Sequence, residues 1–291
     1  MQRRRNRGLE LGVVLLLSEM MNVGFRQIPT VTLCTIVGQV LLYLGIIQVP
    51  WEKWEICISA ETILKHRDYK RLFFSTFEHG DDMHLYYNMI SFMVKGRSLE
   101  RRYGSTNFGF LLLMISVLTS VIYVGLGYTL TEVLHNSYYM RSCAIGFSGV
   151  IFALKVLTSY ETPPGREFIG FLWVPTRYAA WFELILIHLL VPNTSFIGHF
   201  AGILAGLIYI STPIGSIMDG FISSLTGVSF TLLAEGPRMS LFACLSPVKD
   251  PQYFLCFIFV KSLIAFLATP IEMPQAGSGP MNRCSAPILA N

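Results

Sequence analysis

Ser148, in Gly146-Phe147-Ser148-Gly149, and His199, in Gly198-His199-Phe200-Ala201-Gly202, are the two residues whose types could make a nucleophile and its base. A serine hydroxyl attacks a carbonyl when a neighbouring base takes its proton, and histidine does this near neutral pH. The glycines around Ser148 let backbone and substrate approach closely, as in the tight nucleophile turn of soluble serine hydrolases. A serine that opens a helix also gains free N–H groups and the positive end of the helix dipole, both of which favour a developing oxyanion. Gly-x-Ser-Gly alone occurs in many unrelated chains, so the remaining residues must decide.

His84 and Asn88 stand four apart and so share one helix face, where both can donate a hydrogen bond to an oxyanion. Other chemistries drop out. The five aspartates are Asp68, Asp81, Asp82, Asp219 and Asp250, which leaves none between Met83 and Met218 for an intramembrane aspartyl dyad. None of the six histidines is followed by Glu, so no H-E-x-x-H zinc site exists. Lys155 shares a helix face with Ser148 but lies about 10 Å along the axis, too far for a Ser–Lys dyad. It is expected to line a polar interior or to pair with a glutamate. Glu183 and His188 fall roughly 140° apart on their helix and do not make one site. The six cysteines, Cys34, Cys57, Cys143, Cys244, Cys256 and Cys284, contain no C-x-x-C pair, so neither a metal nor a cofactor is expected. Cys57 and Cys143 fall on the same side of the membrane in the arrangement below and can pair there.

The elements that position these residues follow from composition. Of 291 residues 53% are hydrophobic and only 14% charged, with a mean hydropathy of +0.53. A soluble domain carries about 25% charged residues, so this chain is read as an all-α polytopic membrane protein. Six spans are expected, at 29–47, 84–99, 108–130, 146–160, 177–190 and 195–212. The arginines at 3, 4, 5 and 7 and the cluster Lys95, Arg97, Arg101 and Arg102 orient them with both ends cytoplasmic. The net charge of +4 is thereby tied to membrane topology and not to nucleic acid. Residues 1–28 are read as a cytoplasmic basic N-terminus with an interfacial helix, 29–215 as the main domain, and 216–291 as a cytoplasmic tail. Within the tail, the apolar stretch Tyr253 to Thr269 has 17 residues and carries Lys261 at its middle, so it is not expected to span. Residues 161–176, with Pro163-Pro164-Gly165, are expected to form a cytoplasmic turn. In this arrangement His199 lies one turn into the last span, at the depth of Ser148. Gly198, Gly202 and Gly206 form a small-residue stripe against which a helix presenting Gly149 and Ala153 can pack.

His79-x4-His84-x3-Asn88, then Gly-Phe-Ser-Gly, then Gly-His-x-x-Gly, in this order on successive outer helix ends, resemble the rhomboid family of intramembrane serine proteases, over about Pro29 to Gly215. The resemblance implies a six-transmembrane-helix rhomboid fold and a Ser–His dyad without aspartate, with Ser148 as nucleophile and His199 as general base. It implies an oxyanion site of His84, Asn88 and the Ser148 N–H, and Phe152 packed on His199. Gly146 and Gly198 would join Gly202 in packing and substrate approach. Glu100-x3-Gly104 resembles a structural motif of the family, and Arg71 its loop arginine. Arg-Ser-Cys-Ala-Ile-Gly-Phe-Ser-Gly is most similar to members of the endoplasmic reticulum membrane, which cleave single-span membrane proteins, some of them unstable. Such members add a tail that binds ubiquitin and a degradation ATPase. Here the tail after Ser224 has three acids and no arginine-rich terminal helix, which argues against both partners. The competing reading is a non-catalytic rhomboid-fold protein that binds membrane clients.

Overall fold

Ser105–Leu134 carries a single charged residue, Glu132, over 30 residues, and forms one unbroken helix, α6, about 45 Å long. It is long and apolar enough to cross a bilayer by itself. The computed structural model describes residues 10–191 and 194–228. Against α6 pack α2 (Thr30–Tyr43), α5 (Asp82–Tyr103), α8 (Ser148–Glu161) and α10 (Phe196–Ser211); α1 (Leu11–Val23) packs on α5, and α9 (Ala179–Leu190) on α8 and α10. Short helices α3 (Ala60–Leu64), α4 (Arg71–Phe74) and α7 (Tyr138–Arg141) lie in the loops. Helices thus occupy all six stretches expected to be spans. Their shared core includes Phe92, Phe108 and Phe147, with Phe147 edge-on to Phe92 at 5.1 Å.

The end of the bundle that holds Ser148 is called the upper end here. Asp81 caps α5 there by accepting from the His84 N–H at 2.8 Å. At the lower end of α5 the carboxylate of Glu100 accepts from Val31 N at 2.8 Å, Thr32 N at 2.7 Å, Thr32 Oγ1 at 2.7 Å and Ser105 Oγ at 2.6 Å. One anion thereby satisfies the first turn of α2 and ties down the start of α6, a placement favoured by both helix dipoles. Gly104, at φ +78°, makes the sharp reversal between α5 and α6.

The first helix departs from expectation. The Gly12 N–H donates to Asp82 Oδ2 at 3.0 Å at the upper end, while Arg101 donates to the Gln27 carbonyl at 2.7 Å at the lower end. So α1 lies lengthwise along α5 and not across the bundle as an interfacial helix. Its buried face carries Val13, Leu16 and Met20, while Ser18, Glu19 and Asn22 are exposed. The arginines at 3 to 7 lie outside the described residues.

Two further elements fall where a turn and a tail were expected. Within 161–176, β1 (Arg166–Ile169) and β2 (Leu172–Pro175) pair antiparallel, with Glu167 opposite Val174, and Gly170 turns at φ +64°. After α10 the chain bends by 79° into α11 (Pro213–Thr226), which packs back on the bundle through the buried pair Tyr209–Asp219. Pro213 stops α10 but also suits the first turn of a new helix. The packed region therefore continues past residue 216, to Thr226. The stretch Tyr253 to Thr269 lies outside the described residues.

Candidate active site

Ser148 is the first residue of α8, so its backbone N–H is among the donors that helix leaves free. The preceding turn needs glycine at 146 for two reasons: φ is +119°, and a Cβ there would sit 2.9 Å from His84 Cε1 and 3.1 Å from Nε2. The same point is 3.9 Å from Asn88 Nδ2. Gly146 thus brings the turn directly onto the polar face of α5. Its N–H donates to the Ser75 carbonyl at 2.9 Å, and the buried Phe147 ring anchors the next residue. Upstream, the disulfide Cys57–Cys143 (Cα–Cα 5.6 Å) and the bridge Ile58–Ala144 (2.9 Å in both directions) clamp the approach to the turn.

His199 stands beside α8 because α8 and α10 meet at backbone distance. A Cβ on Gly149 would be 3.0 Å from the Gly198 carbonyl oxygen. A Cβ on Gly202 would be 2.0 Å from the Gly149 oxygen, and one on Gly206 2.7 Å from Val156 Cβ. The glycine stripe is therefore the contact itself. The His199 ring is buried and stacks on Phe152 with centroids 4.8 Å apart and planes at 30°. Its Nδ1 is buried with no hydrogen-bond partner. The Phe152 face thereby fixes the plane of the imidazole. Ser195 caps α10, its Oγ accepting from Gly198 N at 3.1 Å.

Two further polar side chains stand against this turn. Asn88 Nδ2 is buried without a partner. His84 Nδ1 accepts from Gly80 N at 3.3 Å, which assigns its proton to Nε2, the nitrogen that faces Gly146. Behind it, His79 is buried and sits edge-on to His84 at 5.2 Å. Burial, then the neighbouring His84, holds the His79 pKa well below the ordinary histidine value.

Ser148 also lines a cavity of about 50 Å³ together with Ser75, Thr76, Thr119 and Ser120. Sequence reading missed this cavity, although a signal exists: Ser116, Thr119 and Ser120 are buried on one face of an otherwise apolar α6. Hydroxyl groups on a membrane helix are costly unless they meet water or a partner.

Other residues lie apart. Lys155 pairs with Glu167 and Glu183, as expected, and Glu183 also meets Lys95 Nζ at 3.3 Å, so this charge cluster ties α5, α8, α9 and β1 together below the site. His188 contacts Thr194 Oγ1 at 3.3 Å and the Phe196 ring at 4.9 Å, away from that cluster. Arg71 Nε bonds Asp68 at 2.7 Å and Nη1 donates to the Cys57 carbonyl at 2.8 Å, so it holds the disulfide loop. Among the described residues no group of three His, Cys, Asp or Glu side chains is placed to hold a metal ion.

A family model described as Rhomboid domain matches residues 66–215. The chain is similar to Rhomboid-related protein 4 of Mus musculus, at 46% identity over 217 residues, covering 74% of this chain and 68% of the relative. With Rhomboid-related protein 4 of Homo sapiens it shares 45% identity over 226 residues, 76% of this chain and 71% of the other. Rhomboid-type serine protease 2 of Yarrowia lipolytica is 24% identical over 148 residues, 50% of this chain and 47% of the relative.

Proposed function

Because this chain belongs to the rhomboid family, some of whose members are named serine proteases, we propose that it is a multi-pass intramembrane serine endopeptidase. The observation that carries the reading is that His84 and Asn88 of α5 stand against Gly146, while α10 meets Gly149 at Gly198, the residue before His199, whose ring stacks on Phe152 of the same helix as Ser148. In this mechanism His199 takes the Ser148 hydroxyl proton as Oγ attacks the scissile carbonyl carbon. The oxyanion accepts from the Ser148 N–H, His84 Nε2 and Asn88 Nδ2. Collapse of the tetrahedral intermediate breaks the C–N bond, and the proton on His199 goes to the leaving amine, giving an acyl-Ser148. A water, admitted through the hydroxyl-lined cavity, then loses a proton to His199, attacks the ester, and releases the acid while Ser148 regains its proton.

Single-span membrane proteins are the substrates this reading implies, reached within the bilayer. The disulfide Cys57–Cys143, at the Ser148 end, supports an oxidising compartment on that side. This favours the endoplasmic reticulum membrane with the site facing the lumen. No coupling to ubiquitin or to a degradation ATPase is proposed.

Cleavage of a co-expressed single-span substrate should be abolished by Ser148→Ala and by His199→Ala at unchanged protein abundance. A fluorophosphonate should label the wild type and not Ser148→Ala. The relatives of 45–46% identity carry names that state no activity. Substrate capture without cleavage and without labelling in the wild type would leave the client-binding reading in its place.

A further inference from the structure

The helix that follows α10 presents three different faces. Gly215, Met218, Asp219 and Ile222 are buried against the bundle, where Asp219, 2% exposed, meets the Tyr209 hydroxyl. Ser216, Gly220 and Ser224 are exposed and form a polar row. Between these lies an exposed apolar row, Ile214 at 44%, Ile217 at 69%, Phe221 at 54% and Leu225 at 53%. At 3.6 residues per turn these rows are successive arcs, each roughly 80–100° wide. The helix is therefore sorted into a protein side, a polar side and an apolar side.

We propose that α11 lies in the plane of the bilayer at the end opposite Ser148, with Ile214, Ile217, Phe221 and Leu225 in the hydrocarbon edge and Ser216, Gly220 and Ser224 facing water. The occupant of the apolar row is lipid. Three observations choose it over a protein partner. The helix turns 79° away from α10, which brings it near the plane normal to the bundle. Its one ionisable residue is the buried Asp219, so no charge opposes contact with acyl chains. The polar row borders the apolar one along the whole helix, the arrangement of a helix held at a lipid–water boundary. A row covered by a folded partner has no need of such an adjacent polar strip. The inference rests on membership of a membrane-embedded family and not on the protease reading.

The test uses the full chain in phosphatidylcholine vesicles with Cys34, Cys244, Cys256 and Cys284 replaced by alanine and the Cys57–Cys143 bond kept. A nitroxide is attached to Ile217→Cys, Phe221→Cys or Leu225→Cys, and in parallel to Ser216→Cys, Gly220→Cys or Ser224→Cys. The first set should be relaxed by oxygen, which concentrates in hydrocarbon, and spared by a water-soluble nickel chelate; the second set should show the reverse. Nickel access at the first set would overturn the proposal by placing that row in water. Shielding of the first set from both reagents would overturn it by showing a protein cover, a second copy included. Quenching of Phe221→Trp, and not of Ser224→Trp, by acyl-chain bromines asks the same question without a label. Fluorophosphonate reaction at Ser148 in the same vesicles reports the protease reading separately, so either can fail alone.

Discussion

Replacing Gly202 by alanine puts a methyl group where the structure has no room for one. The added Cβ would stand 2.0 Å from the Gly149 carbonyl oxygen and 2.8 Å from its carbon, and side-chain Cβ atoms essentially never come closer than 3.0 Å. Neither atom can rotate away, since both are fixed by backbone, so α8 and α10 must part by about 1 Å. Ser148 precedes Gly149 directly and His199 lies three residues before Gly202, so the separation falls on the proposed nucleophile and its proposed base together. A displacement of about 1 Å in a catalytic pair costs on the order of 10²-fold in rate, or about 2.7 kcal/mol of transition-state stabilisation. Overpacking adds about 1–3 kcal/mol of lost stability. Turnover of a single-span substrate in vesicles and the thermal midpoint of the protein measure the two effects. Gly220→Ala serves as control, because a Cβ there meets nothing within 4 Å. Wild-type turnover and midpoint in Gly202→Ala would refute the claim that close α8–α10 packing aligns the dyad.

Asn88→Ala removes a buried donor with no other partner, and kcat should fall by about 10²–10³-fold with KM little changed. A KM rise at constant kcat would assign Asn88 to ground-state binding. Cys57→Ser, or treatment of the wild type with reductant, opens a link between residues 86 apart and should lower stability by about 2–4 kcal/mol, read as a lower thermal midpoint. An unchanged midpoint under reductant would remove the disulfide from the forces holding the Ser148 turn. His79 is kept neutral by burial, so below about pH 6.5 the unfolded chain binds a proton that the folded one refuses. Stability is then full above that pH and declines as pH drops. The midpoint should fall from pH 7 to pH 5 more steeply in the wild type than in His79→Gln, and equal slopes would count against the neutral ring.

The candidate site could be picked out in the sequence because Ser148 and His199 are polar residues in apolar runs and His84 and Asn88 share one helix face. The Gly198–Gly202–Gly206 stripe declares a close contact before any partner is known. Lys155 was likewise readable as pairing with a glutamate away from the serine, but that Glu167 and Glu183 are its partners shows only in the structure. What stayed hidden depends on tertiary placement. The stretch at 161–176 reads as a turn because Pro163-Pro164-Gly165 opens it and its four-residue strands are too short to show alternation. Their position is tied to Lys155 of another element through Glu167. Pro213 reads as a terminator, and only the Tyr209–Asp219 pairing reveals the helix behind it. The interfacial reading of α1 rested on Glu10 and Glu19 interrupting its apolar run; its alignment along α5 depends on the Gly12–Asp82 and Gln27–Arg101 contacts, which local sequence does not show.

The carboxylate of Glu100 has a consequence for how the chain is built in time. It serves Val31 and Thr32, 69 and 68 residues earlier, so α2 leaves the ribosome long before its anion exists. At roughly 5–20 residues per second, that interval lasts about 3–14 s. During it the first turn of α2 must find water or lipid headgroups for those two N–H groups, which holds its start at the membrane surface. When α5 arrives, Glu100 replaces these temporary partners, so the start of α2 is secured only by a helix made later in the chain.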